Sequence, residues 1–142
     1  MTGPRQLRLV VETEEFDEAV SFYRDVLGLR EEDMIESDGG ARVAILGAGR
    51  ATLEIINPAQ KRMIDDIEVG RPIAPKIRVA FEVEDTETRT DDLVRAGANL
   101  IAAPTETPWR SLNSRLEAPA GLQITIFEEL ERRRDEDGSS GP

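Results

Sequence analysis

The sequence predicts an α+β domain built from two copies of one module, each a strand, a helix and three further strands. Three observations carry this. A short apolar run occurs twice: Leu7–Glu12 reads LRLVVE and Ile77–Glu82 reads IRVAFE, each with an arginine in second place. Each run is followed by an acidic, helix-starting segment that reaches a glycine, Gly28 or Gly97. After each helix come three strand-like runs separated by turn residues. The modules are placed at about 5–57 and 76–128, joined by 58–75, within one domain over 1–128 of the 142-residue chain.

Each element has its own reason. In Glu14–Gly28, the residues Phe16, Ala19, Val20, Tyr23, Val26 and Leu27 recur at three- and four-residue spacing, which predicts an amphipathic helix. Thr13 is its expected N-cap, and Phe22 and Tyr23 are expected to pack. Strands follow at about Leu29–Ser37, Ala41–Leu46 and Ala51–Ile56. Asp38-Gly39-Gly40 and Gly47-Ala48-Gly49 mark the turns between them. PAQKRMIDDIE, from Pro58, suits a short helix, and GRPIAPK carries the chain across. Asp65, Asp66 and Glu68 on that helix are expected to be solvated. Asp85 starts the second module's helix, and strands follow at about Asn99–Ala103, Ser111–Ala118 and Leu122–Phe127. Pro119-Ala120-Gly121 makes the last turn. Residues 129–142 read as a charged, disordered tail in which Arg132, Arg133 and Arg134 are neutralised by flanking acids.

Composition excludes much chemistry. There is no histidine and no cysteine. A thiolate nucleophile, a disulfide framework, a Ser-His-Asp triad and an imidazole metal ligand are all excluded. Twenty-nine acidic against 18 basic residues give a net charge of -11, a poor match to nucleic acid or anionic lipid. No apolar run approaches the ~20 residues that span a bilayer. Met1–Leu9 lacks the apolar core of a signal peptide, so the expected compartment is the cytoplasm.

Several residues together resemble the vicinal oxygen chelate superfamily, the glyoxalase/bleomycin resistance/dioxygenase group. They are Phe22-Tyr23 with Leu27-Gly28, Leu53-Glu54-Ile55, the run Arg78–Asp85, Thr107-Pro108-Trp109, and Pro119–Leu122. The resemblance implies two βαβββ modules whose strands curl into an open cleft, with helices outside. It also implies four positions where metal-dependent members place ligands. Here those positions fall on Arg8, Glu54, Arg78 and Thr125. Two guanidiniums cannot donate a lone pair to a metal ion. No metal and no other cofactor is therefore expected.

Strand alternation sets Arg8 with Val10, Glu54 with Ile56, Arg78 with Ala80 and Thr125 with Phe127 on the cleft face. Phe81 is read as core or cleft lining. Trp109 and Ser111 are expected at the cleft mouth, with Arg110 and Asn113 as further polar contacts. Arg8, Glu54 and Arg78 are expected either to hold a ligand or to fill the cleft as an ion-pair network. The leading expectation is a metal-independent protein that binds an antibiotic-like or aromatic small molecule by sequestration, as a homodimer. The alternative is a metal-independent lyase or isomerase, with Glu54 as base and Arg8 and Arg78 as electrostatic stabilisers.

Overall fold

A computed structural model describes residues 3–130. In chain order the elements are β1 (Gln6–Glu12), α1 (Phe16–Val20), β2 (Arg30–Ser37), β3 (Ala41–Ala48), β4 (Ala51–Ile56), α2 (Pro58–Glu68), β5 (Ile77–Glu82), α3 (Thr86–Arg95), β6 (Asn99–Glu106), β7 (Ser111–Ala118) and β8 (Leu122–Glu129). The strands form one sheet in the order β2-β3-β4-β1-β5-β8-β7-β6. In each module the first strand lies parallel to the last: β1 beside β4, β5 beside β8. β1 and β5 then meet antiparallel, so the modules join edge to edge within one chain. The cleft needs no second copy to form.

The helix-facing side of the sheet is apolar. In the first module Phe16 and Val20 of α1 pack on Ala44, Leu46 and Ile55. In the second, Leu93 of α3 packs on Val83, Leu116, Ile124 and Ile126, and Phe81 joins this core rather than the cleft. Alternation turns the neighbours Ile45, Glu54 and Thr125 to the opposite, concave side.

The first helix departs from expectation. After Val20 the chain winds as a π-helix over Ser21–Val26, with the amide of Leu27 donating to the carbonyl of Phe22 at 2.9 Å. The wider turn rotates the apolar stripe out of phase. Phe16 and Val20 stay buried, but Val26 is 76% exposed, and Leu27 and Phe22 are also exposed. Thr13 is not the cap residue; its Oγ1 accepts from the Glu15 amide at 3.0 Å, and α1 starts at Phe16. Asp85 does cap α3, accepting from the Thr88 amide at 3.1 Å. Gly28 and Gly97 end the helices at φ 93° and 116°, a region that favours glycine.

β8 runs to Glu129, so that residue belongs to the sheet and not to the tail. Residues 131–142, where the tail is expected, lie outside the described residues.

Candidate ligand-binding site

The register builds the cleft floor in two cross-strand rows. In one, Val10 of β1 lies between Glu54 of β4 and Arg78 of β5. In the next, Arg8, Ala80, Thr125 and Arg115 follow one another across β1, β5, β8 and β7. Small Val10 and Ala80 sit among long polar side chains. The result is a hollow of about 690 Å³ rather than a filled groove. Helix α2 bridges β3 and β7 and adds Gln60, Met63, Ile64 and Glu68 to the wall.

Arg8, Val10, Glu54, Arg78 and Ala80 all line this cavity, as do Trp109, Ser111, Thr125 and Phe127. Ile56 does not reach it. It shares their face but is buried with Val10, Val43 and Ile45. Trp109 stands at the rim, 46% exposed, next to Arg110 in the left-handed region at φ 64°. The turn is tied by the Ser111 carbonyl, which accepts from the Thr107 amide at 2.8 Å. Asn113 and Arg110 also line the cavity. So does the apolar group Ile35, Val43 and Ile45, which faces the polar strands of the second module.

The two arginines of the floor have different surroundings. Arg8 is satisfied: it donates to Gln6 at 2.9 Å, to Glu54 Oε1 at 3.3 Å and to Glu129 at 3.1 Å. Its guanidinium also stacks over Phe127, 4.6 Å from the ring centre. Arg78 does not join Arg8 and Glu54 in one network. Only 6% exposed, it donates to Thr125 Oγ1 at 2.8 Å and has no carboxylate at ion-pair distance among the described residues. Burial lowers its pKa, and the positive charge of Arg115 lowers it further; Glu68, Glu54 and Asp65 act from a distance in the opposite sense.

A third arginine was not a candidate on sequence. Arg115 is fully buried, at 0% exposure, and pairs with Asp65 at 3.0 Å and Glu68 at 2.8 Å. Gln123 accepts from it at 2.8 Å, and Asn113 donates to Glu68 at 2.8 Å. Asp65 also accepts from the amides of Ile73 and Ala74, both at 2.9 Å. Asp65 and Glu68, expected in solvent, are therefore buried. They lie three residues apart on one helix face, which Arg115 neutralises. A clue was present in β7: Ser111, Asn113, Arg115 and Glu117 alternate with Leu112 and Leu116, marking one face of that strand as polar.

The chain matches the model of the Glyoxalase/Bleomycin resistance protein/Dioxygenase superfamily over residues 5–126. It belongs to this superfamily. Among solved structures it is similar to hypothetical protein BH1468 from Bacillus halodurans, at 18% identity and TM-score 0.63, over 85% of this chain and 91% of that one. Streptomyces coelicolor methylmalonyl-CoA epimerase in complex with 2-nitronate-propionyl-CoA is similar at 17% identity and TM-score 0.61, over 91% and 98%. The Mycobacterium tuberculosis methylmalonyl-CoA epimerase gives 22% identity and TM-score 0.60, over 89% and 87%. At these identities the likeness is one of fold. No curated protein matches the chain.

The donor set at the superfamily's metal position does not fit a divalent ion. Arg8 and Arg78 cannot ligate, Thr125 accepts from Arg78, and Glu54 is engaged by Arg8. Among the described residues, no group of three acidic side chains converges where it could hold one.

Proposed function

We propose that this superfamily member binds a small organic anion in the cleft, without a metal ion, and holds it rather than transforming it. Arg78 carries the reading. Among the described residues Arg78 has one hydroxyl partner and no carboxylate at ion-pair distance, a costly state for a buried guanidinium, and it lines a cavity through which a ligand carboxylate could reach it. The cavity volume suits a drug-sized molecule. Ile35, Val43 and Ile45 offer an apolar wall to its body, and Trp109 an aromatic surface at the mouth, in keeping with an antibiotic-like or aromatic ligand. The reading keeps a homodimer, since β2 and β6 are free sheet edges that pairing would cover.

Titration of Trp109 fluorescence with planar aromatic carboxylates and their methyl esters tests this. Acids are expected to bind at least about tenfold more tightly than esters, as a charge-assisted hydrogen bond of about 1.5–3 kcal/mol requires. Equal affinity for both would sink the reading.

The epimerases of similar fold support the second reading, a lyase or isomerase with Glu54 as base. Its favouring observation is that Glu54 lines the cavity and that, among the described residues, only its Oε1 is engaged. Turnover abolished by Glu54→Gln, with binding retained, would establish it.

A further inference from the structure

Helix α2 presents Gln60, Ile64 and Glu68 to the cavity, at i, i+4 and i+8 along one face. The two polar side chains of that face differ. Glu68 is held by Arg115 and Asn113, each at 2.8 Å. Gln60 is only 6% exposed, yet its side chain makes no hydrogen bond among the described residues, and its buried Oε1 is left without a donor. Its backbone is fixed, since the Gln60 amide donates to Asn57 Oδ1 at 2.9 Å as part of the α2 cap. The fold gains nothing from a side-chain amide at this position. A buried polar group without a partner is destabilising, and methionine fills similar space without that cost. A second acceptor on this side, Asn113 Oδ1, is also buried and without a partner among the described residues. The Asn113 amide is oriented by its donation to Glu68, so its oxygen cannot exchange places with its nitrogen.

We propose that the α2 wall binds a neutral amide-type group of the ligand, a primary carboxamide or a lactam, through Gln60. The inference rests on the anion-binding reading of Arg78 and adds a second, uncharged contact in the same cavity. The chemistry of the side chain selects the class. A glutamine amide carries an acceptor and a donor side by side, and here both lack partners among the described residues. A carboxamide or lactam offers the complementary N–H and C=O on one edge. A carboxylate or ester leaves Oε1 unpaired, and an ammonium leaves Nε2 unpaired. The terminal torsion of glutamine is a broad, two-fold rotor, so the side chain turns to match either sense of that edge. Asn113 Oδ1 adds to the excess of acceptors, and so to the demand for a ligand N–H. The ligand class is thus an organic acid with an apolar or aromatic body that also carries a carboxamide or lactam.

Isothermal titration with biphenyl-4-carboxylate, its 3′- and 4′-carbamoyl derivatives and their N,N-dimethylamides tests this. The two isomers sample different separations of acid and amide. The native protein is expected to bind the better carbamoyl acid about tenfold more tightly than its N,N-dimethylamide, which keeps the carbonyl and loses the N–H. Gln60→Met is expected to reduce that ratio to about twofold or less, and to keep or raise the thermal midpoint of the unliganded protein. Equal binding of amide and dimethylamide by the native protein, for both isomers, overturns the amide subsite and leaves the anion reading standing. A preference that survives Gln60→Met, or a thermal midpoint that falls by more than about 4 °C in that variant, does the same. Undiminished binding of biphenyl-4-carboxylate to Arg78→Met, or failure of every probe to bind, overturns both.

Discussion

Arg78 and Arg115 are both buried guanidiniums, yet they do opposite things. Arg115 has two carboxylates and an amide oxygen around it, so its charge is compensated inside the fold. Removing one partner of such a group leaves a buried charge alone. Arg115→Met is expected to cost about 3–5 kcal/mol, read as a lower urea midpoint, because Asp65 and Glu68 are then stranded. Arg78 is expected to behave in reverse. Arg78→Met removes a buried cation with no ion-pair partner among the described residues and loses a single hydroxyl contact, so the unliganded protein should keep its urea midpoint or gain by up to about 1–2 kcal/mol. A loss above about 2 kcal/mol would mean that Arg78 is structural.

Asp65 gives the pH dependence. Burial pushes its carboxyl upward, but the amides of Ala74 and Ile73 and the Arg115 guanidinium hold it below its ordinary value of 3.8. A carboxyl whose folded pKa is depressed contributes stability above its unfolded pKa and loses it as pH falls through the folded one. This contribution should be complete above about pH 5 and decline below about pH 4. Urea midpoints from pH 2 to 7 check this. Asp65→Asn should be less stable at pH 7 and lack that part of the acid loss.

At the scale of elements, two helices matter most. The π-helical continuation of α1 holds Phe16 and Val20 in the core while releasing Val26 to solvent. Phe16→Ala should therefore cost about 3–5 kcal/mol, whereas Val26→Glu should change stability by less than about 0.5 kcal/mol. A regular α-helix would make Val26→Glu severe, so thermal melts of the pair separate the two windings. Helix α2 is anchored at both ends. Asn57 Oδ1 accepts from the Gln60 amide at its start, and Asp65 holds the amides of Ile73 and Ala74 beyond its end. Because α2 supplies part of the cavity wall, the Arg115 cluster fixes the shape of the cavity, and its members Glu68 and Asn113 also line it.

For the molecule as a whole, the β1–β5 junction is decisive. It joins the modules into one sheet and brings Glu54, Val10 and Arg78 into one row, although Glu54 and Arg78 belong to different modules. The cavity is lined by residues of one chain, so on the proposed reading ligand affinity is expected not to depend on protein concentration across any dimerisation midpoint. Titrations at two protein concentrations, with gel filtration alongside, check that. The donor chemistry at the old metal position also predicts that excess EDTA leaves both the thermal midpoint and ligand affinity unchanged. A fall in either would place a functional ion in the cleft.

The sequence by itself determined the repeat, the strand–helix–three-strand modules and the face that Arg8, Arg78, Glu54 and Thr125 share. Those are local properties: alternation of period two, turn glycines and the recurrence of one motif. The absence of histidine likewise follows from composition alone. Tertiary structure decided which arginine is compensated. Guanidiniums at equivalent positions read alike in sequence, and their charge balance depends on carboxylates far along the chain: Glu54 and Glu129 for Arg8, Asp65 and Glu68 for Arg115. The π-turn in the first helix was hidden for a related reason, since a one-residue change in winding leaves the amino-acid spacing intact but alters which side faces the core. Burial and charge pairing are properties of distant segments brought together, which is why Arg78 becomes distinct from Arg8 only when the sheet is complete.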